Sequence, residues 1–156
     1  MEEVTYLVKI RVGDFFKVKR GNVKNLTGRQ NIGKTGVRLI SATGFNNGGE
    51  ISVKPKPGET IYENKLAIGN NGSVGLGKAF FHPYKFIATS DVTIIYPKDK
   101  HNINLEEGLY LATSLEQQRS KFAYGFKLSN ERLKNLIINL PLDDNGKLDW
   151  KRWLKK

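Results

Sequence analysis

The sequence predicts an α+β fold: a single compact domain over residues 1–156, with a mixed, mostly antiparallel β-sheet, polar loops and two or three short helices. Three observations predict it. Short apolar runs rich in β-branched and aromatic residues recur through the first hundred or so positions, each bounded by Asn/Gly or Pro signals. From Asn104 the hydrophobic period changes to that of a helix. A chain of 156 residues holds one domain with a real core and is too short for two comfortable ones.

Residues 4–18 read as two strands broken near Gly13-Asp14. Lys19–Lys34 is polar and rich in Gly and Asn, the composition of a long loop. Val37–Ser41 is a predicted strand. Ala42–Gly49 is a turn with Asn46 and Asn47 beside Phe45, and Ile51–Val53 is an edge strand that Pro55 and Pro57 close off. The stretch Tyr62–Lys98 is the centre of the chain. Its runs Leu66–Ile68, Ala79–Phe81, Phe86–Ala88 and Val92–Tyr96 are predicted as strands of one sheet, with turns at Asn70–Ser73 and Gly75–Gly77. Asn and Gly suit such turns because they tolerate positive φ. Asn104–Gln118 places Leu105, Leu109, Ala112 and Leu115 on one helical face, and Asn104 with Glu107 has the capping-box pattern. Gly108 in mid-helix counts against that helix. Lys121–Lys127 is basic, aromatic and irregular. A short helix is expected over Asn130–Leu136, then a strand Ile137–Leu140 stopping at Pro141, then a turn at Asp143–Gly146. The basic tail 148–156 carries Trp150 and Trp153. It reads either as the stub of a C-terminal helix that binds a partner, or as a face packed on its own core.

Composition narrows the function. There is no cysteine, so neither a disulfide framework nor a thiolate metal site is open to the chain. His82 and His101 are the only histidines, and no metal centre is expected. No apolar run approaches a membrane span and the N-terminus lacks a signal-peptide pattern, so a soluble cytoplasmic protein is the expectation. Charge is the strongest signal: 26 Lys+Arg against 15 Asp+Glu, formally +11. Such a surplus favours a polyanionic partner, nucleic acid being the commonest, over a merely well-solvated surface. From Phe15 to Gly49 there are seven basic residues (Lys17, Lys19, Arg20, Lys24, Arg29, Lys34, Arg38) and no acidic one. That clustering points to a phosphate-facing surface.

Several catalytic patterns fit only on paper. Gly28–Thr35 matches the phosphate-binding GxxxxGK[ST] pattern, which needs a buried strand before it and a helix beginning at the Lys-Thr. Here the preceding segment is polar and the following VRLIS is strand-like. Glu63-Asn64-Lys65 and Asp149-Trp150-Lys151 have a nuclease-like acid-x-Lys form without a further carboxylate held nearby. Asp143–Gly146 fails as a calcium loop, whose first and twelfth ligand positions would be Pro141 and Arg152. Nothing orders Ser73 or Ser90 against His82 as a nucleophile. The polar loops remain. Arg forks onto guanine and Asn or Gln onto adenine in the major groove, and Arg29, Gln30, Asn31, Asn46, Asn47, Asn70 and Asn71 are of those types. Any one Asn is explained by its turn; the group coincides with the acid-free segment. Lys17, Lys19, Arg20, Lys24, Lys34, Lys78 and Lys85 are the expected phosphate contacts, with Arg38 in the same basic run. Phe122 and Tyr124, among Lys121 and Lys127, stack on nucleic acid or pack in the core.

The order of these pieces resembles a target recognition domain of the specificity subunits of type I and related restriction–modification systems. Phe15–Gly21 resembles the family's opening phenylalanine strand, and Val37–Ser41 followed by Asn47-Gly48 its next segment. Leu66–Gly75 and Ala88–Val92 resemble its later strand and turn. Leu111-Ala112-Thr113, Phe122–Gly125, Arg132-Leu133, Ile138–Pro141 and Asn145–Trp150 follow in the same order, so the resemblance covers nearly the whole chain. It implies a non-catalytic, cofactor-free module for recognising double-stranded DNA. Such a module reads one half-site in the prokaryotic cytoplasm, at the nucleoid, and holds a methyltransferase partner there, with a restriction subunit in some systems. Two half-sites call for a homodimer or a second recognition domain. The competing reading is a regulator or inhibitor that docks on a restriction–modification complex with no DNA specificity of its own. Family members continue into a long spacing helix. This chain stops at Lys156, so it is either a free-standing domain or takes that helix from another chain. Trp150 and Trp153 are then the candidate partner-binding residues.

Overall fold

A four-stranded sheet lies between one long helix and a three-stranded sheet. The computed structural model describes residues 7–24, 26, 28–42, 48–71, 75–121 and 127–152. In chain order the elements are β1 (Leu7–Arg11), α1 (Val12–Phe15), β2 (Phe16–Arg20), β3 (Val37–Ile40), β4 (Ser52–Val53), β5 (Lys65–Gly69), β6 (Ala79–His82), β7 (Phe86–Ala88), β8 (Val92–Pro97), α2 (Leu105–Glu116), α3 (Asn130–Lys134) and β9 (Ile137–Pro141). The sheets are ordered β2-β8-β5-β6, β4-β3-β7 and β1-β9. Every pairing is antiparallel except β3 with β7. The α+β expectation therefore holds. The single central sheet needs correction: Phe86–Ala88 leaves its three neighbours and pairs with β3, through Arg38↔Phe86 and Ile40↔Ala88.

Side chains alternate across a strand, so each face of the central sheet has its own composition. One face presents Phe16, Leu66, Ile68, Ala79, Phe81 and Ile95 to Leu111, Ala112 and Leu115 of α2, and Ile10, Ile138 and Leu140 of the β1-β9 ribbon complete that core. The other face packs Ala67, Val92 and Ile94 on Ile40, Phe86 and Ala88 of the second sheet. A third, smaller cluster of Val23, Leu39, Val53 and Ile87 covers the far side of that sheet.

Helix α2 starts where its capping box predicts. Asn104 Oδ1 accepts from Glu107 N at 2.8 Å, and Glu107 Oε1 accepts from Asn104 N at 3.0 Å. Its buried face differs from the one expected. Leu105 and Leu109 are more than half exposed, and Glu107, Gly108, Leu111, Ala112 and Leu115 are buried. Gly108 is there for a packing reason: a Cβ at that position would lie 2.2 Å from Cγ of Phe81. At the C-terminal side, β9 includes Pro141 instead of stopping before it, and Pro141 O accepts from Asp149 N at 2.9 Å.

Candidate nucleic-acid interface

The strand register gathers several loops at one end of the two sheets, and the turn Thr89–Asp91 is their meeting point. It joins β7 of one sheet to β8 of the other. Thr89 N donates to Ile40 O (3.0 Å), where β3 ends, and Val23 N donates to Ala88 O (2.9 Å). Gly21 N donates to Val92 O (2.8 Å), just beyond β2, and Asn70 N donates to Asp91 O (2.8 Å), just beyond β5. Segments leaving β2, β3 and β5 therefore emerge side by side. Arg20, Ser90 and Asp91 are exposed at this end, while Asn71 and Lys78 are half-buried. Asn71 Nδ2 donates to Asp91 Oδ1 at 3.3 Å. The Ala42–Gly49 turn is rooted here too, with Ser41 N donating to Gly48 O at 2.9 Å. Its Asn46 and Asn47 lie outside the described residues.

A half-buried polar group supports that root. Arg38 Nη1 donates to Gly49 O (3.0 Å) and to the Tyr84 hydroxyl (3.4 Å), and its guanidinium lies 4.4 Å from the Tyr84 ring centroid. The hydroxyl and Nδ1 of His82 are 2.9 Å apart. Because the hydroxyl accepts from Arg38, its own proton is available to Nδ1. His82 has no exposed surface. Burial, and secondarily the Arg38 charge, pushes its pKa down to about 3, so the ring is neutral at ordinary pH. Gly48 sits beside it at φ +90°, and a Cβ there would press on Ile40 at 2.9 Å and on the His82 ring at 3.5 Å.

The basic loop between β2 and β3 is strapped down. Arg29 forms a two-pronged ion pair with Glu59, the Nη1–Oε1 arm at 2.8 Å, with side chains only 3 % and 9 % exposed. The hydrogen bond from Arg29 holds the Glu59 carboxyl below its ordinary pKa. Asn22 bridges to the same segment, through Gly58 O and Thr60. Asn31 Oδ1 accepts from Gly33 N and Ser52 N, both at 3.1 Å. Gly33–Thr35 is a single 3₁₀ turn followed by strand β3, so no helix starts at Lys34-Thr35 as a nucleotide-binding loop requires.

The proposed base readers therefore divide. Asn70 is 2 % exposed, and its Nδ2 donates to Ser90 O (3.1 Å) and Thr93 Oγ1 (3.0 Å); it locks two strands together. Arg29 is spent on Glu59, Arg38 points between the sheets, and the Asn31 oxygen serves backbone donors. Gln30 and Lys24 are exposed on the strap. Lys17, Lys34 and Lys85 are exposed toward the opposite strand ends, and Lys19 lies between the two ends on β2. Trp150 is engaged within the chain: its Nε1 donates to Asp99 Oδ2 (2.7 Å) and its ring stacks on His101 at 4.0 Å. Trp153 lies outside the described residues. Sequence reasoning missed the Thr89–Asp91 turn as an organiser and the Arg38–Tyr84–His82 group. A histidine in an apolar run, FFHPY, is the local signal that was available. Among the described residues no cluster of His, Asp or Glu is placed to hold a metal ion, and no helix is long and apolar enough to cross a membrane.

Comparison with known proteins gives this arrangement a family. The chain is 33% identical over 118 residues to the Type II restriction enzyme specificity subunit S.BcgI of Heyndrickxia coagulans, covering 73% of this chain and 32% of that protein. The fold matches the S subunit of a type I restriction-modification system from M. genitalium, with TM-score 0.65 at 16% identity, over 87% of this chain and 34% of that one. It also matches the HsdS subunit of Thermoanaerobacter tengcongensis, with TM-score 0.64 at 13% identity, over 90% and 34%. The chain thus spans about a third of the relatives it matches. The family model described as "Type I restriction modification DNA specificity domain" covers residues 7–153, and the chain belongs to that family.

Proposed function

We propose that this chain is a non-catalytic, cofactor-free module that reads one half-site of double-stranded DNA and directs a methyltransferase or nuclease partner to it. One observation carries the reading: the register brings the exits of β2, β3 and β5 together around Thr89–Asp91, where Arg20, Asn71 and Lys78 lie at one end of the two-sheet scaffold. Base edges are read by such groups only when a scaffold holds them within hydrogen-bond reach. Asn71, Lys78 and Arg20, with Asn46 and Asn47 of the neighbouring turn, are assigned to the DNA. Gln30, Lys24, Lys34 and Lys85 act as peripheral phosphate contacts. The relatives are about three times as long, which fits a second recognition domain or a second copy supplying the other half-site. The module works where that DNA is, in the prokaryotic cytoplasm.

Selection from a randomised duplex library at two salt concentrations tests this. An enriched motif together with salt-sensitive affinity is expected. Co-purification with a methyltransferase subunit and no duplex binding at either salt would replace it with a regulator that docks on the complex.

A further inference from the structure

An open groove of about 450 Å³ runs between β2 and the corner formed by α1 and α3. Arg11, Lys17, Lys19, Lys98 and Lys134 line it, against a single carboxylate, Glu131. Some of this charge is engaged internally. Arg11 pairs with Asp14 at 3.0 Å and donates to Asn135 Oδ1 at 2.9 Å. Lys98 Nζ gives one hydrogen to Gly13 O at 2.7 Å, leaving two of its three donors. Among the described residues no ion pair engages Lys17, Lys19, Lys98 or Lys134. Like charges held around one trough repel each other, and an anion lying in it relieves that repulsion.

The groove also has a direction. Lys17 and Lys19 project from the same side of β2, about 7 Å apart at two residues' rise. Arg20 ends that strand, and Gly21 just beyond it enters the loop end at Val92. A polyanion lying along β2 therefore arrives at the residues assigned to base reading. Lys17, Lys19 and Lys98 are exposed, so the trough suits a chain passing across it better than a small enclosed anion.

We propose that this groove seats the sugar-phosphate backbone of one DNA strand, so that the duplex is gripped along β2 while the loop end reads its bases. The proposal rests on the DNA-reading function above. It adds Arg11, Lys98 and Lys134, which come from three different elements or connections and which no local pattern links.

The test compares the full chain with the double variant Lys98→Gln/Lys134→Gln on the motif selected by the wild-type protein. Loss of two phosphate contacts should flatten the plot of log K against log salt by about 1.8, so the affinity lost between about 50 and 200 mM salt shrinks roughly tenfold. The selected motif stays the same. Lys17→Gln/Lys19→Gln, which leaves the Lys98–Gly13 contact intact, should act in the same direction. An unchanged slope in both variants, with the motif retained, overturns the groove and leaves the function standing. If those variants instead lose binding to polyglutamate while the DNA slope is unchanged, the groove takes an acidic polypeptide and the proposal fails. A wild-type chain that selects no motif removes the function first, before any variant is compared, and the groove with it.

Discussion

The two faces of the central sheet are built on opposite principles. Toward α2 the contacts are aliphatic and aromatic: Leu66, Ile68, Phe81 and Ile95 against Leu111 and Leu115. Toward the second sheet, apolar packing surrounds polar groups that each need a defined partner, with His82, Tyr84 and Arg38 linked in series. Apolar contact is non-directional and tolerates small shifts. A buried hydrogen-bonded series tolerates few, because a misplaced member leaves an unsatisfied group in a low dielectric. The first face therefore supplies stability, and the second fixes where the loop roots lie.

The largest effect that tests this division is on the apolar face. Leu111 is fully buried on the inner face of α2, and Leu111→Ala should cost about 4 kcal/mol, through lost transfer energy and the cavity left behind. A urea titration measures it as a lower midpoint with little change in slope. The DNA motif selected by the folded fraction should be unchanged. A changed motif would mean that the helix face also positions the loops, and the division between the faces would be lost.

An acid-dependent effect of similar but smaller size belongs to the polar face. His82 has its pKa lowered from 6.5 to about 3 in the folded chain. Below pH 6.5 the unfolded chain takes up a proton that the native chain refuses, so stability falls as pH drops from about 6.5 toward 3. The shift corresponds to about 3 kcal/mol lost between pH 7 and pH 4. His82→Gln, which cannot titrate, should lower stability at pH 7 by about 1 kcal/mol through a poorer bond to Tyr84. It should also flatten the decline between pH 7 and pH 4. Equal pH dependence in the two proteins would show that His82 is hydrated.

These same contrasts explain what was legible in the sequence. The capping box of Asn104 and Glu107 is local chemistry three residues apart, and the structure contains it as read. Most strands were visible because short β-branched and aromatic runs bounded by turn residues are written into consecutive positions. The split into two sheets was not, because Phe86–Ala88 is buried on both sides and its partner β3 is joined to it only by a long-range parallel pairing. Gly108 counted against a helix because its reason, the Phe81 ring, is supplied by another strand. Asn70 carried the signature of an exposed turn amide. Its burial depends on Ser90 and Thr93, about twenty residues downstream. Residue type suggests the chemistry of the proposed interface; only tertiary pairing decides which amides and cations remain available for a ligand.

Arg29 offers the most discriminating test, because its residue type and its position point to different roles. By type it is a guanine reader. By position it is a strut, its guanidinium shielded from water and paired with Glu59, which also accepts from Lys56 N at 2.7 Å. As a strut, Arg29→Ala and Glu59→Ala should each cost about 2 kcal/mol, the range for charge-assisted hydrogen bonds. The double variant should then cost clearly less than the sum, because each single change already removes the shared contact. The carboxylate's depressed pKa adds stability that is present above the unfolded Glu value and lost as pH falls through the lower folded one. Glu59→Gln should therefore weaken the decline in stability below about pH 4. The selected motif should be the same in all of these proteins. Should Glu59→Gln instead tighten DNA binding and strengthen a preference for guanine, the ion pair is a latch on a reading arginine, and the strap over the second sheet joins the interface.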